Sequence, residues 1–287
     1  MTRGGRLFKL ASKDRMSQTS VKKLKPRFIA PIQNWLEGWV YRYYERRLNN
    51  SVKGGKMPRH IGLILDGNRR WAREAGLEPI HGHEFGFEKL KEVLKWCWEL
   101  GIDAVTIYAL STENLERPKE EVRQLFDLAE KGFREILENE EIHKNQVRVR
   151  ALGRLDLLSE SLNATIREAS ERTKGYSKKK LNVAIAYGGR AEIIDATRTI
   201  ARAVASGRLK LEEIDEKSFS KFLYTEGDED PDLIIRTSGE ERLSGFLLWQ
   251  SAYSEFYFMD IYWPELRKID FLRAIRTFQQ RQRRFGR

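Results

Sequence analysis

Six short apolar runs set what this chain of 287 residues can fold into. They fall at 61–65, 104–110, Val147–Leu152, 181–186, Leu233–Arg236 and 255–259. Helical stretches lie between most of them, at about 84–100, 118–140, 159–172 and 192–205, and a last helix starts near Asp270. Gly101 and Gly207 stop two of these helices, and Pro118 suits the first position of a third. Strands separated by helices predict a parallel sheet with right-handed crossovers. The runs are near-continuously apolar rather than alternating, as burial on both faces requires. The expectation is one α/β domain over 57–287, with a central, mostly parallel sheet of about six strands flanked by helices.

Composition narrows the class. At 40% hydrophobic residues the chain has enough apolar side chain for a core. One cysteine, Cys97, excludes a disulfide framework and a Cys-rich zinc site. No run approaches the roughly 18 to 20 uninterrupted apolar residues of a membrane span. The N-terminus lacks an apolar signal core, so a cytoplasmic chain is expected.

The net charge of +11 is unevenly placed. Residues 1–56 hold 14 of the 53 Lys+Arg and 3 of the 42 Asp+Glu, leaving 39 of each in 57–287. A neutral body argues against nucleic acid, which would leave the arm alone to bind it. Residues 1–27 are basic, Ser/Thr-rich and poor in apolar side chains, the pattern of a disordered segment. Over 28–48, Phe28, Ile32, Trp35, Leu36, Trp39, Val40 and Tyr43 recur at helical steps, with Arg42, Arg46 and Arg47 beside them. Trp and Tyr next to Arg suit the interface of an anionic membrane. A helix docked on the body or on a partner is the equal alternative. Gly54-Gly55 reads as a hinge into the body.

In open parallel sheets ligands bind beyond the carboxyl ends of the strands. The first run ends in Asp66-Gly67-Asn68-Arg69-Arg70-Trp71. Asp66 offers a hard oxygen for Mg²⁺, and Arg70 can grip phosphate oxygens. A capped turn with solvated arginines is the alternative. The second ends in Ser111-Thr112-Glu113-Asn114, then Arg117, which also reads as a cap before Pro118. The fourth runs into Tyr187-Gly188-Gly189-Arg190, readable as a tight turn. After the fifth come Arg236, Arg242 and Ser244, a second anion pocket or a solvated loop. No Walker A motif is present and no G-x-G-x-x-G follows a strand, so a nucleotide-binding Rossmann arrangement is not expected. One carboxylate with two arginine pockets suggests two phosphorylated ligands side by side.

These segments carry a family resemblance. The stretch 60–72 with Gly82-His83, the stretch 108–118, Tyr187-Gly188-Gly189-Arg190, and 232–255 through Arg236, Glu240, Arg242, Ser244, Trp249-Gln250 and Glu255 resemble, in order, the motifs of the cis-prenyltransferases (undecaprenyl diphosphate synthases). The tail Arg283-Arg284-Phe285-Gly286 also matches. The resemblance runs from about residue 57 to the end and implies cis extension of an allylic diphosphate, farnesyl or geranylgeranyl, by isopentenyl diphosphate. It further implies Mg²⁺, a hydrophobic product tunnel, a homodimer, and a lipid product used as a carrier for glycan assembly. By motif, Asp66, Asn68 and Ser111 are implied to be catalytic, with Asn68 or Ser111 aiding proton removal. Gly67, Asn68, Arg69, Arg70, Trp71, His83, Ser111, Thr112, Glu113 and Arg117 are implied for the allylic diphosphate. Arg236, Arg242 and Ser244 are implied for isopentenyl diphosphate, and Asp66 with Glu255 for the metal, Glu255 across a dimer. The apolar face of the long helix, with Leu125, Phe126, Phe133 and Leu137, is the expected tunnel wall.

Four positions depart from the family pattern. Pro79 stands where many members have Arg, with Arg73 or Arg117 available to compensate. Glu241 replaces a common His, Ser238 a usual Gly, and Leu115 an aromatic. A non-catalytic prenyl-diphosphate or lipid-binding subunit is the alternative to an enzyme, and Asp66 with Arg236 and Arg242 favours the enzyme.

Overall fold

The computed structural model describes residues 30–281, with side chains from Tyr41 onward. The expectations for 1–27, for the tail 283–286 and for the apolar side chains from Phe28 to Val40 lie outside the described residues. In chain order the elements are α1 (Ala30–Lys53), β1 (His60–Ile64), α2 (Asn68–Glu74), α3 (Pro79–Glu99), β2 (Ala104–Tyr108), α4 (Lys119–Glu138), α5 (Glu140–Lys144) and β3 (Val147–Leu152). There follow α6 (Glu160–Thr173), β4 (Lys179–Ala184), α7 (Gly189–Ala205), α8 (Glu216–Ser220), β5 (Leu233–Arg236), β6 (Glu255–Phe258) and α9 (Lys268–Gln280).

The six strands form one sheet in the order β3-β4-β2-β1-β5-β6, and every pairing is parallel. Two-sided burial holds for the central strands: all of β1 and β5 is buried. Ile61, Leu63, Leu233 and Ile235 are each at most 1% exposed, and each such side chain contributes about 2 kcal/mol by leaving water. The edge strands differ from the expectation of continuous apolar burial. β3 alternates through Arg148 and Arg150, and all of β6 is half-buried. An edge strand has only one neighbour, so it tolerates polar side chains that a central strand cannot.

A compact unit runs from Glu45 to the C-terminus and holds the whole sheet. Residues before Glu45 are a separate unit. α1 extends past Leu48, its expected end, to Lys53. Leu48 and Val52 are buried, and Gln279 Nε2 on α9 donates to the Val52 carbonyl at 2.7 Å. The Gly54-Gly55 pair turns the chain there, with the Gly55 N–H donating to the same carbonyl at 3.1 Å.

Candidate active site

The chain leaves β1 towards β2 and leaves β5 towards β6, so connections diverge from two adjacent strands. That divergence opens a crevice at their carboxyl ends. Ile64 stands opposite Arg236 in the ladder, and Asp66 follows just beyond. Arg236 is 4% exposed, so its charge needs a partner. It donates to Asp66 Oδ2 at 2.7 Å, to Ser244 Oγ at 2.9 Å and to the Arg242 carbonyl. The Thr237 hydroxyl and the Trp263 N–H fix the Asp66 carbonyl at 2.6 and 3.1 Å.

Gly67 then turns the backbone into α2 with φ +105°, a conformation open to glycine. Its N–H donates to Asp66 Oδ1 at 2.7 Å. Burial pushes the Asp66 pKa up. The hydrogen bond from Arg236 and the nearby Ser238 hydroxyl, with the charges of Arg236 and Arg70, outweigh that and hold it below the ordinary carboxylate value. Arg70 donates to Ser238 Oγ at 2.6 Å and to Glu240 Oε1 at 3.1 Å, and lies 3.5 Å from Asp66 Oδ1. Glu240 also pairs with Arg242, so it bridges the two arginine groups.

α3 supplies the other wall. Pro79 opens it at the first turn, five residues earlier than the expected start at 84. Gly82 and Gly86, one turn apart, let α3 lie directly on Asn68, where a Cβ at either would overlap Asn68 oxygens. His83 is carried to the cavity between them. Burial, then the charges of Arg117 and Arg69, lower its pKa to about 4, so it is neutral at pH 7. His83 Nε2 and Asn68 Oδ1 are buried without a hydrogen-bond partner, as groups awaiting a ligand would be. Arg69 and Arg117 share Glu121, at 3.6 and 3.1 Å. Ser111 caps the short turn Thr112–Glu116, accepting from the Asn114 N–H at 3.2 Å, so the capping alternative holds alongside its place at the cavity.

Asp66, Asn68, Arg69, Arg70, His83, Ser111, Arg117, Arg236, Arg242 and Ser244 all line one cavity of about 1250 Å³. The same cavity is lined by apolar side chains, with Leu90 and Leu94 of α3, Leu125 and Phe133 of α4, and Leu181 and Val183 of β4. Of the expected site residues, all but Trp71 and Glu255 line it. Trp71 packs its ring on Phe85, centroids 4.9 Å apart. Glu255 opens β6 opposite Leu233, at the amino end of the sheet, and pairs with Arg281 at 2.9 Å. Within one chain it therefore does not meet Asp66, which stands at the carboxyl end. Phe126 and Leu137 are also absent from the lining, which takes Leu128, Ala129 and Ile136 from α4 instead.

The family model described as "Putative undecaprenyl diphosphate synthase" matches residues 64–286. The chain belongs to the cis-prenyltransferase family. Among relatives of this enzyme, a tritrans,polycis-undecaprenyl-diphosphate synthase (geranylgeranyl-diphosphate specific) of Methanopyrus kandleri is 61% identical over 248 residues, 86% of this chain and 92% of the relative. The protein of the same description from Methanocaldococcus jannaschii is 50% identical over 272 residues, 94% of this chain and 97% of the relative. A crystal structure of lavandulyl diphosphate synthase from Lavandula x intermedia, in complex with dimethylallyl diphosphate, superposes with a TM-score of 0.77 at 36% identity. It covers 80% of this chain and 99% of that one. A probable undecaprenyl diphosphate synthase from Campylobacter jejuni gives 0.67 at 34%, covering 81% and 100%.

One departure of this prenyltransferase, Pro79, has a local explanation. Arg73 and Arg117 both line the cavity, which Pro79, spent on starting α3, does not. Ser238 sits at φ +81°, where glycine is the easier residue. Glu241 is exposed. Sequence reasoning missed Glu121 and gave Glu240 no role, although Glu121 stands one helical turn after Arg117, the spacing of an ion pair. Arg190 is a further cavity residue whose motif was read only for its glycines.

Proposed function

We propose that the enzyme extends geranylgeranyl diphosphate with successive isopentenyl diphosphate units in cis, giving a long polyprenyl diphosphate that serves as a lipid carrier. The observation that carries this reading is one cavity whose lining combines two arginine groups around Asp66 with apolar side chains from α3, α4 and β4. Two diphosphates fit the arginine groups, and a growing prenyl chain fits the apolar part, which would act as the product tunnel. The relatives' descriptions favour geranylgeranyl over farnesyl diphosphate as starter.

The chain's own groups would act as follows. Arg69 and Arg70, with the first N–H groups of α2, hold the allylic diphosphate, and its negative charge grows as the C–O bond breaks. Prepositioned donors stabilise that charge without having to reorganise. Arg236, Arg242 and Ser244 hold the second diphosphate, so the double bond meets the allylic carbon at close range. Asn68 or Ser111 would aid removal of the proton that completes the step. Neutral His83 supports the allylic side without adding charge.

Among the described residues no cluster of three or more His, Cys, Asp or Glu could hold a metal. One part-exposed carboxylate at a diphosphate site nevertheless fits Mg²⁺, which is commonly bound by one or two carboxylates with substrate phosphates and water. Asp66 would hold it, and bound Mg²⁺ would neutralise charge on the leaving diphosphate. Glu255 would join only from a second subunit of a homodimer. No helix among the described residues is long and apolar enough to cross a membrane. The basic segment ahead of Glu45 would instead rest on anionic lipid and keep the enzyme peripheral to the bilayer where its product belongs.

The test is an assay of purified protein with Mg²⁺, labelled isopentenyl diphosphate and a panel of allylic starters, with chromatography of the lipids. Long cis products made preferentially from geranylgeranyl diphosphate are expected. Equal use of farnesyl diphosphate would remove the starter assignment, and no elongation from any starter would overturn the reading.

A further inference from the structure

Six non-glycine residues among those described have positive φ. Five of them lie between +44° and +51°, at or near the left-handed well, and Ser238 stands apart at +81°. Its neighbours impose this. The Ser238 N–H donates to the Ile261 carbonyl and the Gly239 N–H to the Met259 carbonyl, both at 2.7 Å. Thr237 is tied to the Asp66 carbonyl at 2.6 Å. Glycine would adopt the same backbone without strain. A serine held there beside the site gives reason to ask what its side chain does.

Ser238 is 8% exposed and is not part of the cavity wall. Its Oγ accepts from Arg70 Nη2 at 2.6 Å, the shortest of that guanidinium's contacts. The others are Glu240 at 3.1 Å, Asp66 at 3.5 Å and the Tyr262 ring, 5.7 Å from Arg70 Cζ. A hydroxyl that accepts from Arg70 keeps its own proton to donate. The Asp66 carboxylate, 3.5 Å from the same Arg70 nitrogen, lies close by. One hydroxyl therefore holds the cation that flanks the anion of the allylic side.

We propose that the Ser238 hydroxyl is a positioning group for the allylic diphosphate, locking the Arg70 guanidinium beside Asp66 without touching substrate. The inference rests on the functional reading above. It separates the two substrates by degree: Ser238 Oγ accepts from Arg70 directly, whereas it reaches Arg242 only through Glu240, which pairs with both arginines.

Ser238→Ala removes the hydroxyl and keeps the strain, whereas Ser238→Gly removes both. Each variant is titrated, with Mg²⁺, against the thiolodiphosphate analogue of geranylgeranyl diphosphate in a calorimeter, and both KM values are measured. Binding of the analogue should weaken about fivefold to tenfold in both variants, and KM for isopentenyl diphosphate should stay within about twofold. The melting temperature of the glycine variant should not fall below that of the unsubstituted enzyme. Ser238→Ala added to Arg70→Lys should cost little more, because the serine acts through the arginine. Unchanged or tighter analogue binding in both variants, equal losses for both substrates, or full additivity with Arg70→Lys would each overturn the inference. If the unsubstituted enzyme itself neither bound the analogue nor elongated it, the functional reading would fall, and this inference with it.

Discussion

Asp66 is held by groups that come from both ends of the catalytic body, with Arg70 four residues on and Arg236 far downstream. Its substitution should therefore show in two measurements. Asp66→Ala is expected to lower kcat by at least about two to three orders of magnitude, as loss of a charge-stabilising group does. It should also cost about 2 kcal/mol of stability by urea titration, because buried Arg236 loses its counter-charge. That figure is below the range for fully buried pairs because Asp66 is part-exposed. Near-normal turnover would contradict the metal and leaving-group role. Arg242 is different: its side chain is 60% exposed and its described ion pair is with Glu240. Arg242→Ala is expected to raise KM for isopentenyl diphosphate about tenfold with little loss of stability, and an unchanged KM would move that substrate elsewhere. Asp66, Arg70 and Arg236 were legible in sequence because charge at strand ends stands out against apolar runs. Glu121 and Glu240 were not, because a carboxylate that holds an arginine in place looks like any solvated acid until the fold brings the pair together.

At the scale of elements, the contact between α2 and α3 carries the allylic side. A Cβ at Gly82 would overlap the Asn68 carbonyl oxygen, whereas one at Gly175, in the turn after α6, would meet nothing within 4 Å. Gly82→Ala is expected to lower stability by about 2–3 kcal/mol and to weaken binding of the allylic substrate. Gly175→Ala should change stability by no more than about 0.5 kcal/mol. Equal effects in denaturation curves would show that α3 can step back without cost. The six strands were legible from their apolar runs, and the central ones from their continuity. α3 was expected to begin at 84 because the two histidines and Gly82 mask its first turn, where Pro79 is the true start signal. The polar β3 and half-buried β6 show why continuity fails at edges: only one side of each strand has a neighbour. Glu255, at the amino end of β6, lies away from Asp66 within one chain. A motif fixes a residue's place along the chain, but the ladder register decides at which end of the sheet it stands.

The molecule as a whole carries two imidazoles with lowered pKa, His60 buried and His83 half-buried at the cavity. Burial lowers the pKa of His60, which is tied to the Glu229 carbonyl at 2.6 Å and to the Thr106 hydroxyl at 2.8 Å. His83 falls from the ordinary 6.5 to about 4. The unfolded chain would take up these protons near 6.5 and the folded one resists them. The stability they allow is full above 6.5, declines as pH falls from 6.5 towards about 4, and for His83 changes no further below that. For His83 alone the loss is about 3 kcal/mol at most. Urea midpoints should fall across this window, and less steeply for His83→Asn; parallel curves would show that His83 is protonated in the folded state. The sheet order has another consequence. β5 inserts beside β1, so the hydrogen bond from Arg236 to Asp66 joins residues 170 positions apart. While the polypeptide is still emerging from a ribosome, the flank of β1 stays open and the aspartate has no arginine from β5. Catalytic competence can arrive only once β5 has been made, and a prematurely terminated product lacking β5 would have a recognisable first motif and no means of using it.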